Sequence, residues 1–300
     1  MKKSNSFDRW NAVYPSTWSF QVFNKYNDEL NNMMWANKGT SATIYQYLKE
    51  KGANWNDKAS TFLKFDVPHG EEVFPDLKDW SKSFNEFQNW VNLNSLMTLV
   101  SNLETYMAAS ASLALQSDPG VLFSSPKSID GVLLLKNGVT QSCFNDNIIE
   151  SITKGGWEAR TNAFRRTFGI APSCLEKNIS DLDKIRNLRN KIGHAFGRDI
   201  NKARNHELKS TLMIEKLKDD KLKKIQRIIW STAKSIDCYL LENHIGEFQA
   251  VAFYHRMYNS LRKDIHPSQR AVKLKKELGS WGNTIGKGYC KELVNYYEQL

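Results

Sequence analysis

Residues 181–198 read Asp181-Leu-Asp-Lys-Ile-Arg-Asn-Leu-Arg-Asn-Lys-Ile-Gly-His-Ala-Phe-Gly-Arg198. Apolar residues recur there every three or four positions, the period of a helix with one buried face. They are Leu182, Ile185, Leu188, Ile192 and Phe196. A polar stripe advances at four-residue steps on the other side and consists of Arg186, Asn190, His194 and Arg198. The stretch therefore predicts a core helix that also carries cationic and titratable groups.

Helical periodicity dominates the rest of the chain, and signals for strands are sparse. The predicted helices cover residues 18–36, 41–51, 81–116, 146–168, 180–197, 206–244, 246–263 and 283–298. For the helix at 206–244, a break near Asp219-Asp220 is left open as an alternative. An apolar run at 131–138 is predicted as a short hairpin strand. The sequence thus predicts a mainly α protein in three parts. These are an aromatic-rich N-terminal subdomain (residues 1–78), a helical bundle (79–245) and a C-terminal helical extension (246–300).

The charge of the chain is positive and unevenly distributed. The formal net charge is +10 and the pI is near 9.3. Between residues 181 and 230, fourteen Lys or Arg stand against seven Asp or Glu, a local excess of seven. Such a segment attracts polyanions, and it lies around the polar stripe, which favours nucleic acid as a partner. The basic run at 216–227 is equally typical of a solvated helix face.

Several protein classes lack support in this sequence. The four cysteines are far apart and without a Cys-x-x-Cys pair, which indicates reduced thiols. We find no apolar run of membrane-spanning length and no secretory signal, so we expect a cytoplasmic protein. Phosphate-cradling glycine loops, nucleophile elbows and His-Glu-x-x-His patterns are also absent from the sequence, which disfavours nucleotide hydrolases, serine hydrolases and zinc peptidases. No metal and no cofactor is predicted.

The segment Arg189-Asn-Lys-Ile-Gly-His194 resembles the Arg-x4-6-His motif of HEPN domains. These domains are helical ribonuclease modules of toxin–antitoxin, abortive-infection and CRISPR-associated systems. The asparagine after the arginine is a common form of the motif, and the preceding helix with Asn162-Ala-Phe-Arg-Arg-Thr-Phe168 also suits the family. The resemblance covers roughly residues 80–245 and implies a HEPN-like helical bundle.

The resemblance implies a metal-independent endoribonuclease with catalytic residues Arg189, Asn190 and His194. RNA carries its own nucleophile, the ribose 2′-hydroxyl, so a nuclease must align it, move its protons and stabilise the crowded phosphate. His194 is the expected general acid or base, Arg189 the phosphate clamp and Asn190 the orienter of histidine or phosphate. Glu104, on the first long helix of the bundle, is a possible orienting acid on the same family grounds, although a solvated surface glutamate is the simpler interpretation.

Further expectations concern the substrate and the partners. Arg186, Lys191 and Arg198 are predicted to bind RNA phosphates. The products are a 2′,3′-cyclic phosphate or 3′-phosphate and a 5′-hydroxyl, and DNA should resist cleavage. With one motif in each chain, the resemblance implies a homodimer with a composite active site near Gly193 and His194. It also implies a toxin or effector of anti-phage defence that acts on RNA such as tRNA, with an antitoxin or sensor protein as a further partner.

Three alternatives stay open from the sequence. Arg189 and His194 can instead pair with carbonyls at the end of their helix or with acidic neighbours, with Gly197 as the cap. The domain can keep the HEPN fold as a non-catalytic module that binds RNA or a partner. Finally, the tryptophan-rich N-terminal region can be the working surface, although such aromatics are more often core or interface anchors than platforms for bases. Its tryptophans are Trp10, Trp18, Trp35 and Trp55.

Overall fold

A computed structural model of the chain describes residues 6–139, 142–195, 197–199, 202, 206, 209–261, 265–280 and 285–300. Within these residues the protein is mainly helical and forms no strand, which confirms the prediction of a mainly α protein. The α-helices are α1 Trp18–Glu50, α2 Leu77–Ser117, α3 Gly131–Lys136, α4 Ser142–Thr153, α5 Trp157–Phe168, α6 Ser173–Lys177, α7 Ile179–Ala195, α8 Asp219–Leu240, α9 Phe248–Ser260, α10 Pro267–Ser280 and α11 Lys287–Gln299. A π-helical turn, Leu241–Ile245, follows α8. None of the helices described is both long and apolar enough to cross a membrane.

The two helices predicted at 18–36 and 41–51 form a single helix, α1. It continues through Gly39, a poor helix former. The hydroxyl of Thr40 donates to the carbonyl of Ala36 at 3.1 Å, and that of Thr43 donates to the carbonyl of Gly39 at 3.0 Å. Both threonines bond to carbonyls of their own helix. The helix therefore continues through the polar residues at which the sequence predicted a break.

The strand predicted at 131–138 is wrong, because this run forms the short helix α3. The side chain of Asp130 caps that helix by accepting a hydrogen bond from the backbone N–H of Val132 at 3.0 Å. Gly131 begins it against the carbonyl of Gln116, where an added Cβ would lie only 1.7 Å from the oxygen. The N-cap at Asp130 and the close backbone contact at Gly131 therefore favour a helix, although the apolar run predicted a strand.

Other helix boundaries also differ from the predictions. The helix predicted at 146–168 is two helices, α4 and α5, because Gly155 takes a left-handed conformation between them with φ of 90°. The helix predicted at 206–244 begins only at Asp219, and residues 211–218 belong to no helix or strand. In the C-terminal region α10 was not predicted, although its buried residues follow helical spacing.

The chain divides into two compact units, each built from discontinuous segments. The first unit contains Met1–Phe23, Leu103–Asp183 and Trp230–Leu300, and the second contains Asn24–Asn102 and Lys184–Ile229. The three-part division inferred from the sequence stays a prediction. Buried side chains of the first unit include Leu103, Met107, Phe164, Tyr254 and Tyr289. Those of the second include Leu93, Leu96, Leu99, Ile185, Ile192 and Ile225.

The helical spacing of the apolar residues predicts a bundle core, and six of its seven predicted members are buried. They are Trp157, Phe164, Leu175, Ile225, Ile229 and Ile236. The seventh, Trp230, is 47 % exposed, and its ring lies 6.3 Å from that of Phe20 between centroids. Trp35 and Trp55 are 64 % and 54 % exposed, so these two tryptophans are not core residues.

A buried arginine organises the interior of the first unit. Arg9 is 5 % exposed, and its Nε donates to Asp130 Oδ1 at 3.0 Å. Its other nitrogens donate to the carbonyl of Ile245 at 2.8 Å and to the carbonyl and hydroxyl of Ser117 at 3.1 and 2.9 Å. The planar guanidinium is suited to such divergent acceptors, because its donors point in fixed directions. One side chain thereby joins the N-terminal segment to α2, α3 and the π-helical turn.

Replacing this arginine should strongly destabilise the protein. We expect Arg9→Met to lower the free energy of unfolding by about 3–5 kcal/mol, because it leaves the Asp130 carboxylate and two backbone carbonyls buried without their cation. Denaturant unfolding followed by circular dichroism measures the loss. Arg165→Met is the matched control, since Arg165 forms an exposed pair with Glu176 and should cost less than about 1 kcal/mol. Similar losses for the two variants would contradict a central role for Arg9.

Candidate functional site

The predicted functional helix is α7, which ends at Ala195, two residues before the predicted end. Leu182, Ile185 and Ile192 are buried, as the periodicity predicts, and Leu188 is half-buried. Phe196, assigned to the same apolar face, lies outside the described residues. Burial of this face fixes the rotation of the helix about its axis, so the polar positions of α7 face outward in a defined order.

Arg189 and Asn190 are in direct contact on α7. Arg189 Nη1 donates a hydrogen bond to Asn190 Oδ1 at 3.2 Å, and both side chains are half-buried. The asparagine that was expected to orient the histidine or the phosphate is thus seen to hold the arginine. This bond is one constraint on the guanidinium, and an arginine constrained before substrate binds can act as a phosphate clamp at a lower entropic cost.

His194 lies in the last turn of α7 and is exposed. Gly193, next to it, is exposed as well, and a Cβ added there would make ordinary van der Waals contact with Met97 Cε at 3.6 Å. Lys191 is also exposed, whereas Arg186 is half-buried one turn before Asn190. The end of the helix therefore exposes His194 and the backbone at Gly193, whereas Arg189 and Asn190, earlier on the helix, are half-buried.

Beyond α7 the chain turns back through Gly197. Its φ is 75°, a left-handed conformation that glycine adopts without strain. The N–H of Gly197 donates to the carbonyl of Lys191 at 3.1 Å, and its carbonyl accepts from the N–H of Glu215 at 2.8 Å. The helix end is closed by this glycine, which matches the predicted cap, and is joined to residues 211–218, which we call the strap.

Two asparagines of α2 bind the strap. Asn89 donates to the carbonyl of Glu215 and accepts from the N–H of Leu217, both at 2.9 Å. Asn92 donates to the carbonyl of Leu217 at 2.9 Å and to Asp219 Oδ1 at 2.8 Å. These amides are hydrogen-bond partners for backbone groups of the strap, which has none from a helix or a sheet of its own. The strap is therefore attached to α2 by side chains rather than by a sheet.

The aspartate that follows the strap is held in its charged form. A hydrogen bond from Lys38 Nζ to Asp219 Oδ2 at 2.7 Å is the main reason that its pKa is lowered, and the Asn92 amide adds to this effect. Asp219 is also the first residue of α8, where a negative charge is favoured by the helix dipole. This carboxylate, paired with Lys38 and bound by Asn92, fixes the end of the strap.

Arg198 does not continue the polar stripe of α7, because the helix ends three residues earlier. Its Nε instead donates to the carbonyl of Leu212 in the strap at 3.1 Å, and the residue borders a cleft beside α2. The predicted set of phosphate-binding residues is thus divided between the helix, with Arg186 and Lys191, and the edge of this cleft.

Glu104 has a defined partner within the first unit. Its carboxylate pairs with Arg160 at 3.0 Å, and Arg160 is buried over the ring of Trp157 at 4.7 Å. The Nε of Arg160 also donates to the carbonyl of Gly155 at 3.0 Å. Glu104 therefore takes part in joining α2 to α5, and its role as an orienting acid stays a prediction.

A group of possible metal ligands lies apart from α7 in the sequence. Within the described residues, His69, Glu71 and Glu72 place one ligand atom each within 4.8 Å of one another. All three are exposed, in a short turn of the second unit. Exposed acidic side chains in such a turn are ordinary surface chemistry, so we assign no function to the group.

Sequence reasoning missed the residues that hold the site in place. Asn89 and Asn92 lie three residues apart on α2, with Asn85 one turn earlier. Asparagine has a low helix propensity, so its recurrence on one face of a long helix was a usable signal that these side chains bind something. What they bind lies more than one hundred residues away in the chain and carries no matching pattern.

The two glycines near the end of α7 should respond differently to substitution. Gly197→Ala should destabilise the protein by about 1–2 kcal/mol, because alanine is strained at positive φ. The added Cβ would also press on Ile214 Cγ2 at 3.3 Å. Gly193→Ala should be neutral or stabilising by up to about 1 kcal/mol, because Gly193 is helical and has room for a methyl group. Thermal unfolding of both variants checks this, and a larger loss for Gly193→Ala would contradict the described geometry.

Comparison of the chain with models of protein families, with curated protein sequences and with solved structures finds no match. The likeness to HEPN domains therefore rests on the motif residues themselves, from Arg189 to His194. Any function for the chain must be argued from what these side chains and their surroundings can do.

Proposed function

We propose that this protein is an endoribonuclease of the HEPN type whose site is centred on Arg189, Asn190 and His194 of α7. One observation carries the proposal. An arginine held by its neighbouring asparagine at 3.2 Å lies on the same helix as an exposed histidine in the last turn. An oriented cation near a titratable ring is the minimum that phosphodiester cleavage requires of a protein when the nucleophile belongs to the substrate.

In the proposed reaction the ribose 2′-hydroxyl attacks the adjacent phosphorus, and the bond to the 5′-oxygen breaks. Arg189 stabilises the negative charge that builds up on the phosphate oxygens. His194 transfers a proton, either from the 2′-hydroxyl or to the departing 5′-oxygen. The products are a 2′,3′-cyclic phosphate and a 5′-hydroxyl, so the substrate must be RNA.

The charge distribution supports RNA as the substrate. The excess of seven positive charges between residues 181 and 230 surrounds the motif. Lys191 is exposed on α7 itself, and Arg198 follows directly after Gly197. Phosphate contacts by such side chains provide affinity that does not depend on sequence, and the affinity decreases as the salt concentration rises.

A composite site in a homodimer completes the proposal. Cleavage needs an acid and a base on opposite sides of the phosphate, whereas each chain has one motif histidine. Gly193 is exposed beside His194, so the backbone of a second copy can approach closely there. A two-fold axis near these residues would bring two histidines to one phosphate.

The biological part of the proposal comes from the family resemblance alone. We propose a cytoplasmic toxin or effector of anti-phage defence or abortive infection, acting on RNA such as tRNA and controlled by an antitoxin or a sensor protein. The second candidate, a non-catalytic HEPN-type module that binds RNA or a partner, shares the same surface and differs only in chemistry.

Purified protein should cleave labelled RNA in the presence of EDTA. Arg189→Ala and His194→Ala should each lower the cleavage rate by at least about 100-fold, the usual effect of removing a catalytic proton donor or a charge-stabilising group. The rates are measured on a panel of RNAs that includes tRNA. Product ends are identified by their phosphatase and kinase sensitivity.

Two matched variants serve as controls for this test. His206→Ala and Arg227→Ala remove an exposed histidine and an exposed arginine outside the motif, and both should keep full activity. An RNA with a 2′-deoxy ribose at the cut site should not be cleaved there. If wild-type protein binds RNA but cuts none of the panel, the non-catalytic module is the correct function.

The dimer is tested by mass measurement in solution. Light scattering at micromolar concentration should give twice the chain mass of 34.6 kDa. A bulky residue at Gly193, such as tryptophan, should abolish both association and cleavage, whereas tryptophan at the exposed Lys184 should affect neither. A protein that is monomeric and fully active would contradict the composite site.

A further inference from the structure

A cleft of 1020 Å³ lies within the second unit, between one face of α2 and the strap. Arg198 borders it where the chain leaves α7. Lys82 and Asn85 line it on the side of α2, and Lys216 and Lys218 line it on the side of the strap. The volume is that of an ordinary ligand pocket and is sufficient for one or two nucleotides.

The walls of the cleft are held in place without a ligand. Asn89 and Asn92 bind the strap to α2 through three hydrogen bonds of 2.9 Å, and Asn92 also donates to Asp219, directly after the strap, at 2.8 Å. The Nε of Arg198 donates to the carbonyl of Leu212, which ties the entrance to the same strap. A cleft fixed in this way binds with a small loss of conformational entropy, because little of it must become ordered.

The side chains of the cleft favour an anion with a planar polar body. Its four cationic residues stand against three acids, Glu86, Asp219 and Asp220, and Asp219 already pairs with Lys38 at 2.7 Å. Asn85 adds an exposed amide, which can bond to base edges. Met213 in the strap is 81 % exposed and offers an apolar surface to a base. A nucleotide has the three groups that these side chains can bind, namely a phosphate, a base edge that forms hydrogen bonds and a flat apolar base face.

The cleft is close to the motif along the chain. Arg198 follows His194 by four residues, with the left-handed Gly197 between them. Four residues span at most about 14 Å, so an RNA strand bound at His194 needs to extend no further than this to meet Arg198 at the edge of the cleft. A volume of 1020 Å³ holds one or two nucleotides, which favours an unpaired strand over a double helix as the occupant.

We propose that this cleft binds unpaired nucleotides that flank the cleaved phosphate, so that the substrate is single-stranded RNA. The phosphates are bound by Lys216 and Lys218, and the adjacent base lies between Asn85 and Met213. The proposal rests on the proposed ribonuclease function for its position next to the cut. It adds a specificity for unpaired segments, such as loops and ends, that the motif alone does not provide.

The test measures binding by the inactive His194→Ala protein. A fluorescein-labelled unpaired RNA of about twelve nucleotides is titrated at several salt concentrations, beside a blunt duplex of equal length. Adding Lys216→Ala and Lys218→Ala should weaken binding of the unpaired RNA at least tenfold at low salt. The slope of log affinity against log salt should fall by about 1.4, since each phosphate contact contributes about 0.7 on a single strand. The duplex should bind weakly to both proteins.

The control removes the same charge elsewhere. Lys273→Ala with Lys276→Ala changes two exposed lysines of α10 that neither line the cleft nor belong to the basic segment 181–230, and should leave the slope within about 0.3 of its original value. Lys216 and Lys218 are exposed as well, so their replacement should not unfold the protein. Equal melting temperatures of the variants check this. Equal losses for the two double variants, or tighter binding of the duplex, would overturn the cleft proposal.

Failure of the cleft and failure of the nuclease proposal give different results. If wild-type protein cuts RNA while the cleft variant keeps the same KM and salt slope, the nuclease stands and the cleft proposal falls. If no RNA is cut but the unpaired RNA still binds with the lysine-dependent slope, the cleft stands and the protein is a binding module. Absence of binding to either RNA overturns the cleft.

Discussion

The amide of Asn89 is the contact on which the geometry around the motif depends. It pairs with both a carbonyl and an N–H of the strap, as a neighbouring strand would, but from a side chain of a helix. A segment outside helices and strands has no regular backbone partners, so its polar groups depend on side chains such as this amide or on water. The strap in turn accepts the end of α7 through the bond between Gly197 and Glu215. The direction of the chain after His194 is therefore set by an asparagine on another helix.

The helical elements were predictable where one face of a segment is apolar and the helix is long. α2 and α7 are of this kind, and both occur close to their predicted bounds. Residues 211–218 were predicted as helix because their composition is compatible with one. They belong to no helix or strand because their backbone partners, Asn89 and Asn92, come from distant sequence, and local propensity contains no information about that. The error at 131–138 has a local cause, since a cap at Asp130 and a close contact of Gly131 decide the conformation there.

The sequence predicted which site residues share a helix, but not the contacts that their side chains make. Arg189, Asn190 and His194 share α7, so their approximate relation follows from helical spacing. The bond between Arg189 and Asn190 adds what spacing does not provide, which is the direction of the guanidinium. Arg198 was misplaced on the stripe because the helix ends before it. Its actual place beside the strap depends on the turn at Gly197, whose conformation becomes evident only when the path of the following residues is known.

The buried guanidinium of Arg9 has a consequence for the order in which the chain can fold. One of its acceptors, the carbonyl of Ile245, lies 236 residues further along the sequence. During synthesis, which proceeds from the N-terminus, this partner leaves the ribosome long after Arg9, and contacts of such sequence separation form slowly. All segments of the second unit precede Trp230, so they are available earlier. The unit that bears the motif can thus be assembled on the ribosome, while the unit that contains Arg9 must wait for the last part of the chain.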